Sequence, residues 1–208
     1  MAEHHSLKLI EAWRAGREAD LQFGVAFSGG RDSLALLQLM VEGCGAGKIT
    51  ALHIDHGVRD TVSRDEEMRA VERSCRELDV GWFHQTLNPA PDPPSESALR
   101  DARYRLLAAM AREHRLAAVV TAHHREDQLE TVLMNLLRGT DWSGLAGMPE
   151  SFERHGVTFL RPLLGWSAEQ LGQVVARHEV FDDPSNADGR YRRNRYRRRL
   201  LPLIDELE

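Results

Sequence analysis

Residues 22–37 read QFGVAFSGGRDSLALL. A short apolar run over Gln22–Phe27 has strand character, and from Ser33 the pattern turns helical. Between them lie Ser28, Gly29, Gly30, Arg31, Asp32 and Ser33. The glycines stand where backbone can approach a ligand closely, and the first turn of the helix aims its N–H groups at the same place. A helix N-terminus adds about half a positive charge. Together these features suit a phosphate or a pyrophosphate. The commonest nucleotide loop ends in Gly-Lys followed by Ser or Thr, and that lysine is absent. Asp32 stands inside the loop instead, where a carboxylate beside phosphates makes sense with Mg²⁺ between them. At this level a plain strand–helix turn, capped by Ser28 or Asp32, remains the alternative.

Working outward, short strands alternate with helical stretches. That is the pattern of an α/β fold, a doubly wound parallel sheet of about five strands with helices on both faces. Strands are expected over Gln22–Phe27, Ile49–Asp55, Val80–His84, Ala117–Ala122 and Thr158–Leu160. Helices are expected from Ser33 to Met40, from Arg64 to Leu78, from a cap at Ser95 or Ser97 to about Arg115, from Asp127 to Leu137 and from Ala168 to His178. The opening MAEHHSLKLIEAWRAG reads as an amphipathic helix. In the stretch from Arg64, the residues Met68, Val71, Cys75 and Leu78 share one face. The segment NPAPDPPSES cannot join a sheet interior because of its prolines and reads as a surface loop. A basic helix with Leu200, Leu203 and Ile204 on its apolar side ends the chain. The expectation is one domain over residues 1–208, its last 40 or so residues a helical, arginine-rich extension.

Composition agrees with an ordinary soluble domain: 42% hydrophobic and 28% charged residues over a length of 208. No apolar run approaches the roughly 20 residues that cross a bilayer, and the charged N-terminal stretch is unlike a signal peptide. Cys44 and Cys75 are far apart and belong to no CxxC pair. They set neither a disulfide framework nor a zinc site, so a cytoplasmic location is expected. The net charge of −5 argues against indiscriminate nucleic-acid binding. Residues 190–199 run the other way, with seven arginines and two tyrosines in RYRRNRYRRR.

Two further clusters carry chemistry. Asp55 and His56 end a parallel strand, the edge at which open α/β sheets bind ligands. His123 and His124 end the strand before the helix on which Asp127 and Glu130 stand three residues apart, hence on one face. The pair can be simple helix N-terminal acids. With the histidines it can form a metal-hydrolase site, although the spacing is not HExxH. It can also receive a cationic amine.

SGGRDS resembles the phosphate-binding motif of the PP-loop ATP-pyrophosphatase family, whose members cleave ATP between the α- and β-phosphates and adenylate an acceptor. Within that family LHIDHGVR (52–59), AHHREDQLETVLMNLLRGTDWSGLAGMP (122–149), RPLLGWS (161–167) and DPSNADGRYRRNRYRRRLLP (183–202) resemble the tRNA(Ile)-lysidine synthetases. The motifs stand in the same order and cover nearly the whole chain from Gln22. The resemblance implies a PP-loop fold and ATP-dependent ligation of L-lysine to the 2-position of the wobble cytidine of tRNA(Ile) through an adenylated cytidine, with AMP and pyrophosphate released. It implies ATP at Ser28–Ser33, Asp55 and His56, Mg²⁺ at Asp32, and lysine at Asp127 and Glu130. Arg103 resembles a family arginine near the reacting groups, the alternative being a surface arginine. Asp32, Asp127, Arg103 and His124 are thus the expected catalytic residues, and either Asp127 or His124 takes the proton of the lysine amine.

Arg192, Arg193, Arg195, Arg197 and Arg198 are the expected RNA contacts. Arginines fork onto phosphates, and tyrosines stack on unpaired bases. The family usually follows its catalytic domain with one or two smaller C-terminal domains, so a chain ending at Glu208 is expected to be a truncated form, a minimal enzyme or a relative with another acceptor. Asp141, Trp142 and Ser143 depart from the family pattern, so that loop's substrate contacts can differ. Three rivals remain. Thiolation on the same fold usually requires paired cysteines or an iron–sulfur cluster. Ammonia-using ligases need a glutaminase domain that the 27 residues before the loop cannot hold. A non-catalytic nucleotide or RNA binder is the third. Pairing with a second copy stays open.

Overall fold

The computed structural model describes residues 3–15, 20–55, 61–87, 95–140 and 145–176. Helix α1 spans Glu3–Arg14, strand β1 Phe23–Ala26 and helix α2 Arg31–Cys44. A single 3₁₀ turn over Ala46–Lys48 leads into β2, Ile49–Asp55. Then come α3 (Thr61–Glu77), β3 (Gly81–Thr86), α4 (Glu96–Glu113), β4 (Ala118–Val120) and α5 (Arg125–Leu137). A hairpin of β5 (Ser151–Arg154) and β6 (Val157–Leu160) precedes α6, Ala168–Val174.

The strands form one sheet in the order β3-β2-β1-β4-β6-β5. β1 pairs in parallel with β2 on one side and β4 on the other, Phe23 facing Ile49 and Ala118. Period-two alternation sends the two faces to different helices. Phe23 and Val25 of β1, Ile49 and Ala51 of β2, and Ala118 and Val120 of β4 pack with Ile10 of α1, Leu34 and Leu37 of α2, Val71 and Cys75 of α3 and Leu171 of α6. Leu52 and Ile54, Val119, Val157 and Phe159 turn to the opposite face, against Tyr104, Leu107, Ala108 and Ala111 of α4. Helices therefore cover both faces. Gly24 keeps this second face thin: a Cβ there would lie 2.7 Å from Leu52 Cδ1 and 2.9 Å from Leu116 Cδ1.

The sheet has six strands rather than about five, because β5 pairs antiparallel with β6 at the edge. Its Ser-Phe-Glu-Arg sequence has no apolar run, and its side chains are exposed or half-buried in alternation. His155 and Gly156 join the two strands with φ of 51° and 72°. Positive φ at both central residues is the signature of the tight hairpin turn whose twist suits a β-ribbon. The five other strands are parallel to one another.

Helix starts follow local chemistry. Of the two serines offered as cap for α4, Ser95 takes the role and accepts the Ala98 N–H at 3.1 Å. Ser167 and Gln170 close a reciprocal capping box at α6. Helix α5 starts at Arg125, two residues earlier than the apolar periodicity suggests, because His124 is its N-cap. The proline-rich loop (88–94), residues 141–144 and the expected basic C-terminal helix lie outside the described residues. No described helix is long and apolar enough to cross a membrane.

Candidate functional site

β1 and β4 are neighbours, yet β1 is followed in the chain by β2 on its other side. The order of connection therefore reverses between β1 and β4, which in open α/β sheets is where ligands bind, beyond the carboxyl ends of the strands. The loop of Phe27–Gly30 leaves β1 there, and that of Thr121–His124 leaves β4.

In the first loop Gly29 adopts φ +79°, and a Cβ would sit 3.4 Å from Val71 Cγ2 of α3. Gly30 is the N-cap of α2 and makes no side-chain cap bond. The turn is tied from within. Ser33 Oγ donates to the Gly30 carbonyl at 2.8 Å, accepts the Ser28 N–H at 3.2 Å and lies 3.1 Å from Ser28 Oγ. Ser28 and Arg31 are exposed and Ser33 is buried. Ser33 thus braces the loop, while Ser28 and Arg31 face outward.

Asp32, in the first turn of α2, meets two cations. Arg31 Nε donates to its Oδ1 at 3.1 Å, and His124 Nε2 lies 3.5 Å from its Oδ2. Burial favours the neutral acid, but His124 and Arg31 outweigh it and hold the carboxyl below its usual range. A single ionised carboxylate at a phosphate-accepting helix start is the donor set of a hard cation that takes its remaining ligands from phosphates and water, as Mg²⁺ does. Among the described residues no group of three or more His, Cys, Asp or Glu side chains could hold a metal by itself.

His124 is only 2% exposed and joins the two loops. Its Nε2 is 3.5 Å from both Asp32 Oδ2 and Asp127 Oδ2, and its Nδ1 is 2.8 Å from Glu126 Oε2. Burial disfavours the imidazolium, yet the three carboxylates together raise the ring above its ordinary value. Asp127 has a structural duty as well, since its Oδ2 accepts the His124 backbone N–H at 3.0 Å. Glu130 is one turn on and 1% exposed. It is no solvent-facing helix-start acid. His123 Nδ1 lies 3.0 Å from Thr121 Oγ1 in the same corner.

Asp55 is buried at the end of β2 and ion-pairs with Arg64 of α3. His56 and the five expected RNA-contacting arginines fall outside the described residues. Arg103 belongs to a different cluster on α4. Its guanidinium carbon is 5.8 Å from the Tyr104 ring centre, as is that of Arg100, while Arg154 is 4.9 Å away. Burial would raise the Tyr104 hydroxyl, but Arg161, Arg100 and Arg103 lower it.

Sequence reasoning missed two participants. His53, 1% exposed, places Nδ1 at 2.9 Å from the Phe27 carbonyl, directly before the glycine loop, and Nε2 at 4.0 Å from Glu67 of α3. Its signal was a polar residue on the same face of β2 as buried Ala51. Glu126 was hidden as one of two acids in a helix first turn.

A model of the PP-loop domain matches residues 2–204. A tRNA(Ile)-lysidine synthase of Polaromonas naphthalenivorans is 39% identical over 190 residues, covering 89% of this chain and 57% of the relative. One of Rhodopseudomonas palustris is 40% identical over 213 residues, covering 97% and 60%. The chain thus spans about three-fifths of the length of these relatives. Among solved structures, the tRNA thiolase NcsA of Methanococcus maripaludis, with its 4Fe–4S cluster, aligns with a TM-score of 0.71 over 88% of this chain and 65% of its own, at 19% identity. Fold, glycine loop and family match agree, and the chain belongs to the PP-loop domain family.

Proposed function

We propose that the protein ligates L-lysine to the 2-position of the wobble cytidine of tRNA(Ile) bearing a CAU anticodon, through an adenylated cytidine, releasing AMP and pyrophosphate. The observation that carries this reading is His124, held between Asp32 of the glycine loop and Asp127 of α5. It sets an ATP-accepting loop beside a buried acidic pair, and the two halves of the reaction need those two environments. The lysidine synthases that match over most of the chain support the same choice of acceptor.

In the first half, the 2-carbonyl oxygen of the cytidine attacks the α-phosphate of ATP. The N–H groups opening α2 face the phosphates and stabilise the charge that builds there. Asp32 would hold Mg²⁺, which neutralises charge on the departing pyrophosphate. Ser28, Gly29, Gly30, Arg31 and Ser33 would cradle the phosphates, with Asp55 and His56 beside the adenine. In the second half, the amine of lysine displaces AMP. Its pKa in water is about 10.4, so it must lose a proton, which His124 or Asp127 would receive. Asp127 and Glu130 recognise the cation. Arg192, Arg193, Arg195, Arg197 and Arg198 bind RNA phosphates. Neutralising about five phosphates makes affinity fall with salt at a log–log slope of roughly −4.

Two cysteines on separate helices, Cys44 on α2 and the deeply buried Cys75 on α3, offer no pair for thiolation. The deciding experiment is AMP release from ATP and Mg²⁺ with unmodified tRNA(Ile), with and without lysine. Dependence on both supports the reading. AMP formed with tRNA but indifferent to lysine would assign another nucleophile, and no AMP with ATP still bound would assign an isolated catalytic domain or a binding module.

A further inference from the structure

Helix α4 buries Tyr104, Leu107, Ala108 and Ala111 against the sheet. Four residues before Tyr104 and Leu107, on the same side of the helix, stand Arg100 and Arg103. Both are half-buried. Strand β6 brings a third arginine, since Arg161 follows Leu160 directly and is only 5% exposed. The Leu160 carbonyl accepts the Thr121 N–H at 2.9 Å. Arg161 therefore stands beside the end of β4, at the carboxyl edge of the sheet where the glycine loop and His124 also lie.

These cations gather on Tyr104, itself 1% exposed. The guanidinium carbons of Arg100 and Arg103 are each 5.8 Å from its ring centre. With Arg161 they stand close enough to the hydroxyl to bear on its charge. The neighbouring acid, Asp101, is engaged elsewhere by Arg105, Arg154 and His155. Among the described residues no carboxylate pairs with Arg100 or Arg161. Arg161 donates from Nη1 to the Pro149 carbonyl at 2.9 Å and lies over the Phe152 ring. Its Nε and the Tyr104 hydroxyl are both buried, and neither completes a hydrogen bond. Buried donors and gathered like charges each cost free energy until a partner arrives. A phosphate group meets both needs, because it accepts from guanidinium forks and from a phenol while cancelling their charge.

We propose that Arg100, Arg103, Arg161 and the Tyr104 hydroxyl form a binding site for one phosphodiester of the RNA strand, next to the nucleotide that reacts. That the strand is RNA rests on the function proposed above. The site differs in kind from the arginine-rich stretch 190–199. Three cations and a phenol converge on one group, so it fixes the register of the strand rather than attracting a length of backbone.

The test measures binding of the full chain to a fluorescein-labelled RNA hairpin with a CAU loop, by anisotropy over a series of KCl concentrations. Tyr104→Phe removes a hydroxyl that no protein group uses. Its Tm should not fall, while its affinity for the hairpin should drop about tenfold. Arg100→Gln should weaken binding at least as much and flatten the log–log salt dependence by about 0.7, the share of one single-strand phosphate. Arg105→Gln, at an exposed position of the same helix, removes the same charge and should do neither. The Kd for ATP should stay within about twofold in all three. Equal effects of Arg100→Gln and Arg105→Gln would leave only a diffuse basic surface and overturn the proposal. A loss confined to ATP would also overturn it, assigning the site to the nucleotide's phosphates, as would a wild type that binds no hairpin. Hairpin binding that depends on Tyr104 and Arg100, without lysine-dependent AMP release, would sink the function proposed above and keep the phosphate site. Lysine-dependent turnover with unchanged hairpin binding in both variants would do the reverse.

Discussion

His53 Nδ1 lies 2.9 Å from the carbonyl oxygen of Phe27. Through this contact the neighbouring strand β2 braces the last residue before the glycine loop, and Glu67 faces the other side of the ring from α3. His53→Phe keeps the ring volume but removes the polar partner of a buried carbonyl. It should lower stability by about 1–3 kcal/mol, measured by urea unfolding. His53→Asn can still donate to Phe27 and should lose less. If the two variants are equally destabilised, the contact to Phe27 is not what the histidine supplies.

The Asp32–His124 pair gives stability a pH window. His124 is raised in the fold, so its contribution is complete below the usual imidazole value of about 6.5 and is lost as pH rises through the folded value. Asp32 is lowered, so its contribution is complete above the usual carboxylate value of about 3.9 and is lost as pH falls through the folded value. Together they act fully between about pH 4 and 6.5. The difference in Tm between wild type and His124→Gln should be largest in that window and shrink towards pH 9. A difference that grows with pH would reverse the assignment.

Cys75 is buried in the α3 face of the core, and burial pushes its thiol up to about 12. At pH 8 only about one molecule in ten thousand carries the thiolate that reacts. Alkylation of the native protein should therefore leave Cys75 unmodified, and denaturant should expose it, as peptide mass spectrometry will read. Labelling of Cys75 at the rate of a model thiol would show that the core opens readily there.

The parts of this fold written in local patterns were legible in the sequence. QFGVAF, SGGRDS and the apolar AAVV each carry their geometry within a few residues, and the structure builds β1, the glycine loop and β4 from them. β5 was hidden because an exposed edge strand needs no apolar stripe, and its only mark is the His155-Gly156 turn. Asp127 and Glu130 were visible as a spaced pair, but their environments were not: one caps its own helix, and the other is buried. Glu126 was invisible as a participant because its partners lie at position 168 and in the ring of His124, and only the fold brings these together.

Gly147 offers a test of how the segment before β5 is held. Its φ is +71°, and an added Cβ would come within 2.8 Å of the Gln128 side chain. That amide is clamped to Met148, accepting its N–H at 2.6 Å and donating to its carbonyl at 3.0 Å. It cannot swing aside without losing both bonds. Gly156, at φ +72°, has open space around it. Gly156→Ala should cost about 1 kcal/mol of backbone strain, and Gly147→Ala about 2–3 kcal/mol. Equal losses in Tm for the two variants would show that the Gln128 clamp yields easily.

The acidic pair on α5 separates substrate recognition from folding. Asp127→Asn keeps an oxygen able to accept the His124 backbone N–H, so the helix start survives while the charge is lost. Asp127→Ala removes the acceptor too and should cost about 1 kcal/mol of stability. Glu130→Gln keeps the shape of a side chain that is 1% exposed. If the pair receives the lysine ammonium, Asp127→Asn and Glu130→Gln should each raise the KM for lysine at least about tenfold, the worth of one hydrogen bond to a charged group. The KM for ATP should stay within about twofold, because the glycine loop is untouched. Equal increases in both constants would make the acids part of the frame that holds the loops together. A rise confined to lysine would place the amine between Asp127 and Glu130, one helical turn from the imidazole that can take its proton.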